Sequence, residues 1–275
     1  MMISIIITVK NESEGMEALL DSLLIQEKPF EIIIVDANST DGTQDIVKRY
    51  SSKYPNIKLI EFDATRGESR NNGVKNAKGD IVAFTDGSCT ADKNWLHEIR
   101  NKMKEGYDIV AGKTKPRQQN RFSNLGRVKV YYKKGDASFP TCNIAYKKQL
   151  FQKINGFDPW FKEAEDVDLN YRALDQDANM VYNENMIIYK KDAETFSSFI
   201  KKSFWYGFGR KELEIRHGSL WSNYNIGDMM GIRKGESIWK LIRLFIAFIG
   251  YSFCIVVGNK QKTKEKMRKS KFHSH

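Results

Sequence analysis

Short β-branched runs that end on polar residues recur through the first third of the chain, separated by stretches of helical period. They constrain the fold more than any other feature. Ile3-Ser4-Ile5-Ile6-Ile7-Thr8-Val9 leads into Lys10, Asn11 and Glu12; Glu31 to Val35 ends at Asp36; Ile57 to Phe62 is a third run; and Ile81 to Thr85 ends at Asp86. Runs this apolar read as strands buried on both faces, as parallel sheets require. Between them, Leu19, Leu20, Leu23 and Leu24 share a helical face. Gln44 to Tyr50 reads as a helix after the turn residues Ala37 to Thr43, and Glu68 to Asn76 as another. Alternating β and α predicts an α/β fold, with a mostly parallel, Rossmann-like central sheet flanked by helices. Ligands of such sheets bind beyond the carboxyl ends of the strands. Asn11-Glu12, Asp36 and Asp86 are therefore expected on one rim, although an Asp at a strand end also serves as a cap for the next helix.

Further along, Trp95 to Met103 reads as a helix, Ile109 to Gly112 as a fifth strand, and 142–147 and 180–189 as further strands. Residues 113–139 have little pattern and many cations (Lys115, Arg117, Arg121, Arg127, Lys129), and are expected to form a variable, acceptor-side segment. Phe196 to Arg216 reads as a helix whose stripe of Phe196, Phe199, Ile200, Phe204, Phe208 and Leu213 packs in a core. With 275 residues, 41% of them hydrophobic, the chain can bury one large α/β domain with a C-terminal appendage, and is not a disordered chain.

The formal net charge of +11 suits nucleic acid, anionic lipid or a phosphorylated substrate. Much of it lies in the Lys- and Arg-rich tail after Gly258. The basic residues form no recognisable nucleic-acid-reading module. The first strand runs into Lys10-Asn11-Glu12-Ser13-Glu14-Gly15 rather than GxGxxG, which counts against a dinucleotide-dependent oxidoreductase. Cys89, Cys142 and Cys254 are widely spaced with no CxxC, which suggests neither a zinc site nor a disulfide framework and fits a reducing cytosol. The N-terminus lacks the basic start and small-residue cleavage site of a signal peptide.

Within this basic chain, Glu165-Asp166-Val167-Asp168-Leu169 is a compact acidic cluster. Adjacent carboxylates raise each other's pKa in a low-dielectric site, which suits proton abstraction from a hydroxyl. The same residues also suit the first turn of a solvated helix.

In chain order, the motifs are Thr8-Val9-Lys10-Asn11-Glu12, Val35-Asp36-Ala37-Asn38-Ser39-Thr40-Asp41-Gly42-Thr43 and Arg66-Gly67-Glu68-Ser69-Arg70-Asn71-Asn72-Gly73. They continue with Phe84-Thr85-Asp86-Gly87-Ser88-Cys89, Gly156-Phe157-Asp158, Glu165-Asp166-Val167-Asp168 and Tyr206-Gly207-Phe208-Gly209-Arg210. Together they resemble the family 2 glycosyltransferases, with the GT-A nucleotide-diphospho-sugar transferase fold, over about residues 2–215. The resemblance implies that Thr8, Asn11, Glu12 and Asp36 hold the nucleoside of a nucleotide-diphospho-sugar donor. Asp41 either joins them or caps the next helix. Arg66 and Arg70, with Asn71 beside the latter, bring positive charge to the donor. Arg210 contacts the diphosphate, closes over the donor or stays on a helix surface.

Asp86-Gly87-Ser88 stands where the family has an Asp-x-Asp motif that binds Mg²⁺ or Mn²⁺ at the diphosphate. Here the second Asp is Ser88. A His that many relatives carry after the strand ending Ile187-Ile188-Tyr189 is also missing, and Lys190-Lys191 follows instead. Two expectations follow: weak metal binding by Asp86, with Ser88, through waters, or partial replacement of the cation by Lys190 or Lys191. By the same resemblance Asp166 is the base, Glu165 its neighbour and alternative, and Asp168 orients the helix. The implied reaction is inverting transfer to a glycan, lipid-linked glycan or lipid. Transfer to a polyisoprenyl phosphate and non-catalytic sugar-nucleotide binding are the alternatives.

Leu244 to Gly258 carries no charged residue. As a helix it spans roughly 22 Å, less than a bilayer core of about 30 Å. With the polybasic tail it suggests a helix lying in an anionic membrane interface at the cytoplasmic face, rather than one spanning it or packing on the catalytic domain. The expected division is a GT-A domain at 1–215 and an appendage at 216–275.

Overall fold

The computed structural model describes residues 1–118, 120, 127–191, 195–224 and 237–272; Arg121 and residues 273–275 lie outside them. The chain divides into two compact units. The first comprises Met1–Gln119, Lys129–Trp160 and Glu165–Asp192; the second comprises Asn120–Val128, Phe161–Ala164 and Ala193–His275.

The first unit is built on an eight-stranded sheet. Its strands are β1 (Ile3–Val9), β2 (Phe30–Asp36), β3 (Ile57–Glu61), β4 (Ile81–Asp86), β5 (Cys89–Ala91), β6 (Ile109–Pro116), β9 (Ile144–Lys147) and β10 (Met180–Lys190); β7 (Tyr131–Tyr132) and β8 (Gly135–Asp136) form a separate hairpin. The order across the sheet is β3-β2-β1-β4-β9-β6-β10-β5. Pairs β3/β2, β2/β1, β1/β4 and β6/β10 are parallel, while β9 runs antiparallel to both neighbours and β5 antiparallel to β10. This is the mixed, mostly parallel α/β architecture expected.

Alternation along β1 explains the layers. Ile3, Ile5, Ile7 and Val9 face one core with Met16, Leu19, Leu20 and Leu23 of α1 (Ser13–Leu24), Val47 of α2 (Thr43–Lys53) and Trp95, Leu96 and Ile99 of α4 (Trp95–Lys104). Ile6 faces a second core with Ile33, Val82, Phe84, Val74 of α3 (Arg66–Asn76), Phe151 of α5 (Lys148–Lys153), and Leu169 and Ala173 of α6 (Glu165–Asp175). Each fully buried aliphatic side chain contributes about 1.5–3 kcal/mol, so the two cores fix the sheet and therefore its rim. Register does the rest: Val9 lies opposite Asp36, and Thr8 opposite Asp86, which brings three strand ends to one level.

Two local readings differ from the structure. Strand β6 continues to Pro116, because Lys113, Thr114, Lys115 and Pro116 pair with Ile187 to Lys190. The segment expected to be variable also contains the β7–β8 hairpin, whose Tyr132 stacks on Tyr171 and hydrogen-bonds Asp175 of α6 at 2.9 Å. Cationic side chains on a solvated strand face obscure the alternation on which a strand assignment relies.

The second unit is chiefly α7 (Phe196–His217) and α8 (Ser237–Phe272). Two glycines let the helices approach closely. A Cβ at Gly207 would lie 1.7 Å from the Ala247 carbonyl oxygen, and one at Gly250 would lie 2.0 Å from that of Phe204. Lys211 bonds Tyr251 and Glu214, and Tyr251 donates to Glu214. Of the expected α7 stripe, Phe199, Phe208 and Leu213 are buried, while Phe196 is exposed. The apolar part of α8 is longer than 244–258: Ile238–Val257 forms 20 helical residues, enough to cross a bilayer by length and composition.

Candidate active site

The loops after β1 and β2 brace each other. Asn11 and Asn38 both adopt left-handed backbone, φ +58 and +56, a conformation Asn tolerates better than most residues. The Asn11 amide donates to Ser39 Oγ at 2.8 Å, and the Thr40 amide donates to Asn11 Oδ1 at 2.8 Å. The Glu12 amide donates to Thr43 Oγ1 at 2.9 Å. At the end of β2, Asp36 Oδ1 accepts from the Ser39 amide and from Gln44 Nε2. Its other oxygen, Oδ2, is buried and has no hydrogen-bond partner. Buried oxygens are nearly always satisfied, so an incoming N–H or hydroxyl would find a prepared acceptor there.

The centre of the rim is a chain of charges. Lys190 Nζ lies 2.6 Å from Asp86 Oδ2, and Arg70 reaches Asp86 Oδ1 at 3.3 Å. The other arm of the Arg70 guanidinium lies 2.8 Å from Glu165 Oε1, and Arg66 approaches the same oxygen at 3.7 Å. A capping box at Thr65 and Glu68 starts α3 and sets both arginines in its first turns. Burial works to raise the Asp86 pKa, but Lys190 and Arg70 outweigh it and hold the carboxyl well below the usual range. Burial works against the charge on Lys190, and Asp86 more than restores it, so that ammonium stays protonated far above neutrality. Glu12 is half-buried; burial first, and the Asp86 charge second, push its carboxyl up.

Glu165 and Asp166 open α6 but have different surroundings. Glu165 is buried and its charge is matched by Arg70. Asp166 Oδ1 accepts the Val167 amide at 2.8 Å, and Arg70 and Arg66 act on it only at longer range. Burial, then the neighbouring Glu165 charge, raise its pKa to about 6. A half-buried carboxylate that titrates near neutrality can take a proton from a hydroxyl. Asp168 is fully buried and held by Arg172 Nε and Nη2 at 2.9 and 2.7 Å, so it orients the helix.

Some expected donor-site residues are committed elsewhere. Asp41 Oδ2 accepts the Ser13 amide, and its Oδ1 accepts the amide and hydroxyl of Thr43. These bonds lower its pKa and make it the brace between α1 and α2. Asn71 is spent on the backbone of Phe157, donating to its carbonyl at 2.8 Å and accepting its amide at 2.9 Å. Arg210 lies in the second unit, where it donates to Tyr224 Oη and the Val128 carbonyl. Thr8, Asn11, Glu12, Asp36, Arg66, Arg70, Asp86, Ser88, Lys190, Glu165 and Asp166 all belong to the first unit.

Sequence reasoning missed two residues. Arg172 donates to the carbonyls of Ile154 and Gly156 and thereby ties the Gly-Phe-Asp turn to α6; its spacing four residues after Asp168 was the available signal. Glu212, on α7, accepts the amides of Lys162 and Glu163 at 3.1 and 2.9 Å, and burial raises its carboxyl to about 7. Those two residues lead directly into Ala164 and the acidic pair. Nothing in the sequence of α7 distinguishes Glu212 from a surface glutamate.

The donor set does not fit a divalent ion at Asp86. Both carboxylate oxygens are already engaged by cationic side chains, and the second position of the motif is the neutral Ser88. Among the described residues, no group of three or more His, Cys, Asp or Glu side chains could hold a metal. Among them the three cysteines are free thiols.

The site is thus a mostly parallel sheet that brings three polar strand ends to one level, with an acidic pair tied to them by arginine. The family model described as glycosyl transferase family 2 matches residues 4–157, more than half of the chain, and the chain belongs to that family. A glycosyltransferase of Haloferax volcanii, AglE, is 27% identical over 223 residues, 76% of this chain and 72% of the relative. Against other curated relatives the chain spans as little as 19% of their length. In fold it resembles TarS 1-349 of S. aureus in complex with UDP-GlcNAc, with a TM-score of 0.60, 20% identity, and 91% and 82% of the two chains covered. It also resembles the mannosyltransferase PcManGT of Pyrobaculum calidifontis in complex with GDP-Man and Mn²⁺, with a TM-score of 0.64, 16% identity, and 94% and 75% covered.

Proposed function

We propose that the chain is an inverting glycosyltransferase that moves a sugar from a nucleotide-diphospho-sugar to an acceptor hydroxyl. The observation that carries this reading is the Arg70 fork, which joins the strand-end carboxylate Asp86 to Glu165 and leaves Asp166 to titrate near pH 6. Asp36 Oδ2 and the braced Asn11–Thr40 loops suit the N–H and hydroxyl groups of a nucleoside. Asp166 takes the acceptor proton as the acceptor oxygen bonds to the anomeric carbon. The bond from that carbon to the diphosphate breaks on the opposite face, and its electron pair leaves with the nucleoside diphosphate. A single displacement inverts the configuration. Glu165 is ion-paired with Arg70, and its negative charge adds to burial in raising the Asp166 pKa.

The acceptor is carried on or near a membrane in this reading. Leu241, Phe245, Phe248 and Val256 lie on α8 and are all exposed, Phe245 and Phe248 at 67% each. A helix that offers so large an apolar face, followed by a basic tail, suits the anionic cytoplasmic interface. Free thiols suit the same compartment. A lipid-linked glycan, whose sugar hydroxyl supplies the proton that Asp166 takes, is a fitting acceptor there. Thermal unfolding with a panel of nucleotide sugars tests the donor assignment. One donor should raise the midpoint by linkage, and nuclear magnetic resonance of the product should show the inverted anomer. A retained anomeric configuration would refute the single displacement.

A further inference from the structure

We propose that the donor diphosphate is bound without a divalent metal, and that Lys190 supplies the cation from within the chain. The inference rests on the donor assignment made above and adds to it how the leaving group's charge is met. Three observations carry it. First, Lys190 Nζ sits 2.6 Å from Asp86 Oδ2 while Arg70 takes Oδ1 at 3.3 Å, so the one acidic residue of the motif is already neutralised from both sides. Second, the position that would supply a second carboxylate is Ser88, and a single carboxylate with competing cations is a poor site for an ion that prefers several oxygen ligands. Third, the lysine is built in by the sheet. Lys190 closes β10 directly opposite Cys89 of β5 and Pro116 of β6, so its backbone is paired on both sides at the level of the rim.

The charge is also usable. The Lys190 and Asp86 side chains are 29% and 25% exposed, enough for a ligand to reach them. An ammonium has three donors. One is spent on Asp86, which leaves two for phosphate oxygens. As the bond between the anomeric carbon and the diphosphate breaks, its electron pair moves onto the phosphate oxygen, and Lys190 meets that charge as a compact point cation. Asp86 in this arrangement aims the ammonium instead of ligating an ion. A tethered cation is present at every turnover, whatever the concentration of free metal.

Titration calorimetry with UDP and GDP on the full chain tests this, in excess EDTA and again in excess Mg²⁺ or Mn²⁺. The expected result is that at least one nucleoside diphosphate binds in EDTA with a Kd within about twofold of that in metal. Lys190→Ala should weaken that binding by about tenfold or more, while Lys190→Arg, which keeps the charge, should keep most of it. Thermal unfolding of each variant checks that it is folded. Loss of wild-type binding in EDTA with recovery in Mn²⁺ would overturn the inference and leave the donor assignment standing. So would a Lys190→Ala protein that binds as tightly as wild type while Lys190→Arg does the same. Failure of every nucleoside diphosphate to bind with or without metal would overturn both.

Discussion

At the scale of single residues, the two members of the acidic pair divide their work by environment. Asp166 must be ionised to act as a base, so activity is lost as pH falls through its pKa of about 6. We expect kcat/KM to rise about tenfold per unit below pH 6 and to level off above it; a pH–rate profile with no inflection above pH 5 would contradict this. Arg70 is 5% exposed and Glu165 6%, so Arg70→Met strands a buried carboxylate at a cost of roughly 3–5 kcal/mol. Adding Glu165→Gln should recover most of that loss in urea unfolding. The sequence disclosed these residues unevenly. Asp36 and Asp86 stood out because polar residues gather at the strand ends of a parallel sheet, and the acidic pair because it is a compact cluster in a basic chain that opens α6. Asp41 and Asn71 carry the same side-chain chemistry, yet they hydrogen-bond to neighbouring backbone. Local pattern does not tell a ligand's carboxylate or amide from a brace.

At the scale of elements, the strands β1, β2, β3 and β4 and the helices between them were legible from their apolar runs, whereas β5, the β7–β8 hairpin and α5 were not. The exceptions are instructive. Cys89–Ala91 is too short to leave a period, and it becomes β5 only because β10 pairs with it. Helix α7 runs over Phe196–His217, close to the expected 196–216. Its glycines at 207 and 209, with Phe208 between them, look like a turn within a motif, whereas Gly207 is the point at which α8 approaches. Gly207→Val would drive side-chain atoms into the Ala247 carbonyl, where backbone cannot give way. We expect a loss of about 1–3 kcal/mol or more in the stability of the α7–α8 pair, read by thermal unfolding as an earlier transition. An unchanged transition would mean that the two helices do not depend on this contact.

At the scale of the whole molecule, the proposed function joins the charge of +11 and the exposed apolar face of α8 in one prediction: a transferase that works where its acceptor is anchored. A chain lacking residues 238–275 should no longer float with vesicles that contain anionic lipid, and the intact chain should release from them as salt rises. Flotation undiminished by the deletion would remove α8 from the account. The most direct test of the central claim compares Asp166→Asn with wild type on the same donor and acceptor. Donor affinity by calorimetry should stay within about twofold, while turnover falls by about a hundredfold or more. Wild-type turnover in Asp166→Asn would contradict the assignment of the base, and with it the mechanism proposed for this site.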